Sequence, residues 1–162
     1  MNEAQFTTTG ARLVVERSFD APVSLVWKAW TTADLLDQWW APKPYQSQTK
    51  HMTFVEGGYR LYAMVGPKGE EHWGRTNYTK IVKEQEFAGE DVFCDENGAV
   101  NEELPVAVFV NTFKVIGEGR TQVTMTTTYA SEEALDQVLK MGLEQGLKMT
   151  LQNLDEVLAA QP

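Results

Sequence analysis

The last thirty residues restrict the fold more than any other stretch. Leu135, Leu139, Leu143, Leu147, Leu151, Leu154 and Val157 or Leu158 recur at three and four, with Val138, Met141 and Met149 alongside. That spacing is one face of an α-helix. Ser131 stands where an N-cap would, and Glu132 and Glu133 favour the positive end of the helix dipole, although Ala134 leaves the capping box incomplete. A single helix from about residue 132 to 160 would measure roughly 40 Å, enough to cross a small sheet. So long an apolar stripe has to be covered by something.

The rest of the chain supplies the cover. From Ser47 onward, extended segments alternate with turn residues for more than half the sequence. Strands are expected at 50–56 and 59–65 around a tight Gly57-Gly58 hairpin, then at 71–83, 87–95, 104–116 and 121–129. The turns between are Gly66-Pro67-Lys68-Gly69, Glu96-Asn97-Gly98 and Gly117-Glu118-Gly119. Short links between successive strands argue for an antiparallel meander. Period two places Val123, Met125, Thr127 and Tyr129 on one side of the last strand; Phe109, Asn111, Phe113 and Val115 share the inward face of the strand before it. Asn111 is then an inward amide that needs a partner, either a neighbouring side chain or a bound ligand or water.

Before the sheet region, residues 11–19 read as a strand on the weight of Leu13, Val14 and Val15. Asp20-Ala21-Pro22 is a helix start, with Asp20 as the side-chain acceptor. Val23, Val26, Trp27 and Trp30 form the buried face of a short helix to about Thr31, and a second runs from Ala33 to Trp40, stopped by Pro42 and Pro44. Residues 1–10 are expected to be a flexible N-terminal segment ahead of one domain at 11–160. The fold class is therefore α+β: a curved antiparallel sheet gripping a long C-terminal helix, with two short helices after the first strand.

Composition excludes several functions. Fourteen basic against twenty-three acidic residues give a net charge of −9, which repels nucleic acid and anionic membranes. No stretch is apolar enough to span a bilayer, and the polar, Thr-rich start carries no export signal. The single Cys94 cannot form an internal disulfide, which favours a reducing, cytoplasmic setting, and with no base near it in sequence it reads as an inert thiol. Metal-ligand spacing, a phosphate-cradling loop, a dinucleotide fingerprint and a nucleophile elbow are all missing, so neither cofactor nor catalytic set is assigned. Glu70-Glu71, Glu102-Glu103 and Glu132-Glu133 read as solvated surface.

Certain words in the chain carry a resemblance. They are Glu16 to Pro22, Val26-Trp27-Lys28-Ala29-Trp30-Thr31, Leu36 with Trp39-Trp40-Ala41-Pro42, Glu56-Gly57-Gly58-Tyr59-Arg60, the Gly66 to Gly69 turn, Tyr78 to Ile81, and Met141-Gly142 through Leu158. Together they resemble the family related to the activator of heat-shock-protein-90 ATPase, within the START-like (SRPBCC) superfamily. The resemblance implies the helix-grip fold with six or seven strands; it does not by itself imply chaperone activation. Two departures bear on the interior. Lys83-Glu84 stands where the family often has a proline pair, and Gly142-Leu143 and Gly146-Leu147 where it commonly has Gly-Trp.

The expected function is to bind a small hydrophobic or amphipathic molecule between sheet and helix. Candidate lining residues are Trp27, Trp40, Trp73, Phe109, Asn111, Phe113, Met125, Met141, Gln145 and Met149, chosen from strand parity and the helix face. Gly142 and Gly146 either let the helix approach the sheet closely or leave room for that ligand. Two alternatives stay open: a protein-interaction or co-chaperone-like module, and a cyclase or hydrolase acting on a hydrophobic substrate with His51, His72 or Glu56 as acid–base groups. Oligomeric state is left open.

Overall fold

The computed structural model describes residues 2–161. In chain order the elements are β1 (Gln5–Thr9), β2 (Arg12–Phe19), α1 (Val23–Thr31), α2 (Ala33–Trp39), β3 (Gln46–Met52), β4 (Tyr59–Val65), β5 (Glu71–Val82), β6 (Glu86–Cys94), β7 (Ala107–Gly117), β8 (Arg120–Thr128), α3 (Glu132–Lys140) and α4 (Leu143–Ala159). All eight strands form one antiparallel sheet in the order β1-β2-β8-β7-β6-β5-β4-β3. The chain runs as a meander from β3 to β8 and then closes against the N-terminal hairpin, because β8 pairs with β2. This is the helix-grip fold, with one strand more than the larger count expected.

Four expectations are corrected. Residues 5–9, expected to be flexible, form edge strand β1, with Gln5 opposite Glu16 and Thr9 opposite Arg12; Gly10 at φ +60 makes the tight turn that permits the hairpin. Asp20 caps no helix: α1 has no side-chain cap, and Asp20 instead accepts from Arg120 Nε at 3.1 Å. The strand expected at 50–56 lies earlier, at Gln46–Met52, and a bulge between Thr49 and His51 shifts its pairing.

The fourth correction concerns the long helix. It is two helices, broken at Gly142, whose φ of +92 lies in the left-handed region. Leu periodicity continues across the break, which is why the sequence reads as one rod. Ser131 does cap α3, its Oγ accepting from the Ala134 N–H at 3.1 Å. Neither glycine marks a close approach to the sheet. A Cβ on Gly142 would meet nothing within 4 Å, and one on Gly146 only Pro42 Cγ at 3.7 Å.

Core packing follows the apolar periodicities. Val26, Ala29 and Trp30 of α1, Leu36 and Trp39 of α2, Leu151 and Leu154 of α4, and Val15, Phe19 and Val123 of the sheet are all buried in one cluster. Val115, expected to share the inward face of β7, is exposed, since it lies past the part of the strand that the helices cover. Helix α4 packs chiefly on α2 and α1, and less on the strands it crosses. Two polar ties hold it there. Buried Arg17 on β2 makes a two-pronged ion pair with Asp155, Nη1 lying 2.9 Å from Oδ1, and Asn153 Nδ2 donates to the Ala41 carbonyl at 2.9 Å.

The two glycines should respond oppositely to alanine. Gly142→Ala forces a side chain into left-handed backbone and should lower stability by about 1–2 kcal/mol, whereas Gly146→Ala, in ordinary helix with room for a methyl, should raise it by up to about 1 kcal/mol. Urea denaturation of both variants checks this; equal effects would contradict the break at Gly142.

Candidate functional site

Because α4 rests on the short helices, a space remains between it and the concave sheet. This cavity measures about 370 Å³, within the usual range for small-molecule sites. Its roof comes from the end of α3 and the first turns of α4: Val138, Met141, Leu143, Gly146, Leu147 and Thr150. The floor is built by six strands or their ends, including Leu13 and Val15, Tyr62 and Met64, Trp73, Phe93, Ala107, and Met125, Thr127 and Tyr129. Trp40 and Pro42 stand at one end. Gly74 is required on the floor, since a Cβ there would come within 2.8 Å of the Tyr62 ring.

Against Trp40 the cavity adjoins a smaller, more polar annex of about 50 Å³, with Trp40, Asp91, Met125 and Thr127 common to both. Trp30, Arg60, Thr76, Tyr78, Phe109 and Asn111 also border it. Three tryptophans converge nearby. Trp30 meets Trp39 edge to face with ring centroids 4.8 Å apart, and Trp39 meets Trp40 at 5.3 Å. Trp39 Nε1 donates to the Ala29 carbonyl at 3.0 Å. The indole N–H groups of Trp30 and Trp40 are buried without a partner, each at a cost of about 1–3 kcal/mol. Burial raises the Tyr62 hydroxyl, and the Trp40 N–H beside it opposes that rise, although the two do not reach hydrogen-bond geometry.

The annex also holds charge. Buried Arg60 donates from Nη2 to Ser47 Oγ at 2.7 Å and from Nε to Thr49 Oγ1 at 3.2 Å, lies 3.5 Å from Asp37, and stacks on the Tyr62 ring at 4.0 Å. Asp37 is itself fixed by the hydroxyls of Ser47 and Thr49. Asp91 accepts from Thr76 Oγ1 at 2.6 Å. Burial pushes its carboxyl up from 3.8 to about 6, against the opposing effects of the Thr76 hydrogen bond and Arg60. Burial likewise raises Tyr129 to about 12.

Of the ten candidate lining residues, the structure brings six to these two spaces. Trp73 and Met141 border the cavity, Phe109 and Asn111 the annex, and Trp40 and Met125 both. Four lie elsewhere. Trp27 and Phe113 are core residues, edge to face with each other at 5.0 Å and with Phe87 completing the cluster. Gln145 and Met149 are exposed on the outer side of α4, because Leu143, Leu147 and Thr150 occupy the face toward the sheet and residues two positions away point oppositely. The acid–base candidates do not converge. His51 is exposed and packs on Tyr59, Glu56 is exposed and accepts from the Ile81 N–H at 2.9 Å, and His72 is an exposed residue at the cavity rim. Cys94 is half-buried, and burial raises its thiol, followed by the effect of Asp95.

Sequence reading missed Asp91, Arg60 and Trp30 as bordering residues. Strand parity had already paired Thr127 and Tyr129 with Met125; Asp91, beside Glu90, carried no such signal. Among the described residues no cluster of metal-binding side chains occurs, and no helix is long and apolar enough to cross a membrane.

A curved antiparallel sheet closed by a C-terminal helix is the fold shared with solved structures of similar proteins. The family described as activator of Hsp90 ATPase homolog 1-like protein matches residues 20–159. The chain belongs to that family. Solved structures agree along nearly its whole length. A protein from Arthrobacter aurescens is 29% identical with a TM-score of 0.90, covering 97% of this chain and 92% of its own. One from Mycobacterium smegmatis is 31% identical with a TM-score of 0.86, covering 99% and 98%. One from Staphylococcus epidermidis is 25% identical with a TM-score of 0.85, covering 96% and 93%. Among curated proteins, none matches.

Asp91 sets a pH dependence. Its folded-state value lies above the unfolded one, so the folded state holds the extra proton between 3.8 and about 6. Its contribution to stability is therefore complete below pH ~4 and is lost as pH rises through about 6, a change of roughly 3 kcal/mol at most. Urea denaturation should show Asp91→Asn gaining on the wild type by up to that amount between pH ~4 and ~7.5. A constant difference across the range would show that Asp91 is not held in a desolvated site.

Proposed function

We propose that this family member encloses a small hydrophobic or amphipathic molecule between its sheet and α4. The observation that supports the reading is the 370 Å³ cavity itself, walled mainly by apolar side chains with a polar annex at one end. That combination suits a ligand with an apolar body and one polar group. The glycine at 146 is consistent with this use: it sits on the cavity roof, where a larger side chain would occupy the space.

A co-chaperone-like docking function has less support. The outward positions of β7 carry exposed Val108 and Ile116, but Thr112 and Lys114 interrupt them, so they form no continuous apolar strip. A catalytic reading would have to rest on Asp91, whose titratable neighbours are Tyr62 and Tyr78, both raised by burial, and the already engaged Arg60. The single, half-buried cysteine accords with a reducing cytoplasmic setting.

Binding of a neutral, environment-sensitive naphthylamine dye tests the proposal. The wild type should give saturable fluorescence enhancement at one site per chain. Gly146→Phe should weaken it by about tenfold or more with the circular dichroism spectrum unchanged, since the ring would fill space otherwise available to the dye. Equal binding by the folded variant would refute a cavity site.

A further inference from the structure

The annex contains more hydrogen-bond donors than the protein satisfies. Trp30 is only 3% exposed, and its N–H lacks a partner, as does that of Trp40. Their ring centroids lie 6.1 Å apart, and both rings border the same small space. An indole N–H can donate and nothing else. Trp39, in the same aromatic cluster, shows the contrast, because its N–H is spent on a backbone carbonyl. Asn111, 6% exposed, borders the annex as well, and its side chain forms no hydrogen bond among the described residues.

The charges around these donors narrow what they can receive. Asp91 presents a carboxyl to the annex, so an anionic head group would meet like charge. Arg60 cannot readily compensate, because Ser47, Thr49, Asp37 and the Tyr62 ring already engage it. An ammonium group would face Arg60 and two donors. A carbonyl oxygen carries two acceptor sites and no charge, so it can accept from the indole donors that border the annex.

We propose that the annex recognises the neutral carbonyl oxygen of an otherwise apolar ligand, such as a ketone, ester or amide, with Trp30 and Trp40 as donors and Asn111 as a further contact. The ligand's body then lies in the larger cavity, so the proposal rests on the ligand-binding reading above.

Three medium-chain probes of equal length test it: a methyl ketone, the alkane and the fatty acid carboxylate, each titrated against the bound dye and against ¹⁵N-labelled protein. The ketone should displace dye at a concentration about tenfold below that of the alkane, the worth of one net hydrogen bond. The carboxylate should do no better than the alkane. Two indole N–H resonances, assigned with Trp30→Phe and Trp40→Phe, should move downfield with the ketone alone. Trp30→Phe should abolish the ketone's advantage while leaving alkane displacement within about twofold; Asn111→Leu provides a second variant should that one fail to fold. Dye displaced equally by ketone and alkane, indoles that do not shift, or a tighter carboxylate would overturn the carbonyl assignment and leave ligand binding intact. Failure of all three probes to displace dye, or of the dye to bind, would overturn the binding reading and this inference with it.

Discussion

A twisted antiparallel sheet of eight strands does not stay flat, and its curvature makes the inner face a trough that one helix covers but does not fill. The cavity follows from how α4 spans that trough. The helix is supported by α1 and α2, tied to β2 through Arg17 and Asp155, and tied to the segment after α2 through Asn153 and the Ala41 carbonyl. These supports hold its lower half in the core and its first turns away from the strands, where the cavity opens. The ion pair suits such a role because its arginine is almost fully buried and bidentate, so its geometry is fixed as well as its charge.

The break at Gly142 belongs to the same arrangement. A continuous helix would have carried α3 straight on along the axis of α4. The left-handed residue instead lets α3 turn, so that Val138 and Met141 close the roof from a different direction. Gly146, one turn further on, adds no side chain to the roof. The two glycines that look alike in sequence thus serve different ends: one redirects the backbone, and the other leaves volume.

The annex illustrates a different economy. Packing three tryptophans into one corner provides a large apolar surface, yet each brings an N–H that must be satisfied or left bare. Only Trp39 has a backbone carbonyl within reach. With Asp91 desolvated and Arg60 engaged by its own partners, the corner is a set of oriented polar groups enclosed by apolar ones. Unmet donors beside an apolar cavity are a selective surface, because they favour a ligand that brings an acceptor over one that does not.

Much of the architecture was legible in the chain. The leucine stripe, the period-two strands and the tandem aromatic helices are local patterns, and local patterns reflect which face is buried. Inward Phe109, Asn111 and Met125 could be named for that reason. Trp27 and Phe113 could not be told from lining residues, since facing inward is common to core and cavity alike. Gln145 and Met149 were misplaced by helical phase, and Gln5–Thr9 was overlooked because a polar, Thr-rich edge strand shows little apolar alternation. The sequence by itself determined most of the elements, their order and the side that β7 and β8 turn inward. Only the tertiary structure decided where the interior stays open and which polar groups meet there, because Trp30, Arg60, Asp91 and Asn111 come from four elements that no spacing along the chain connects.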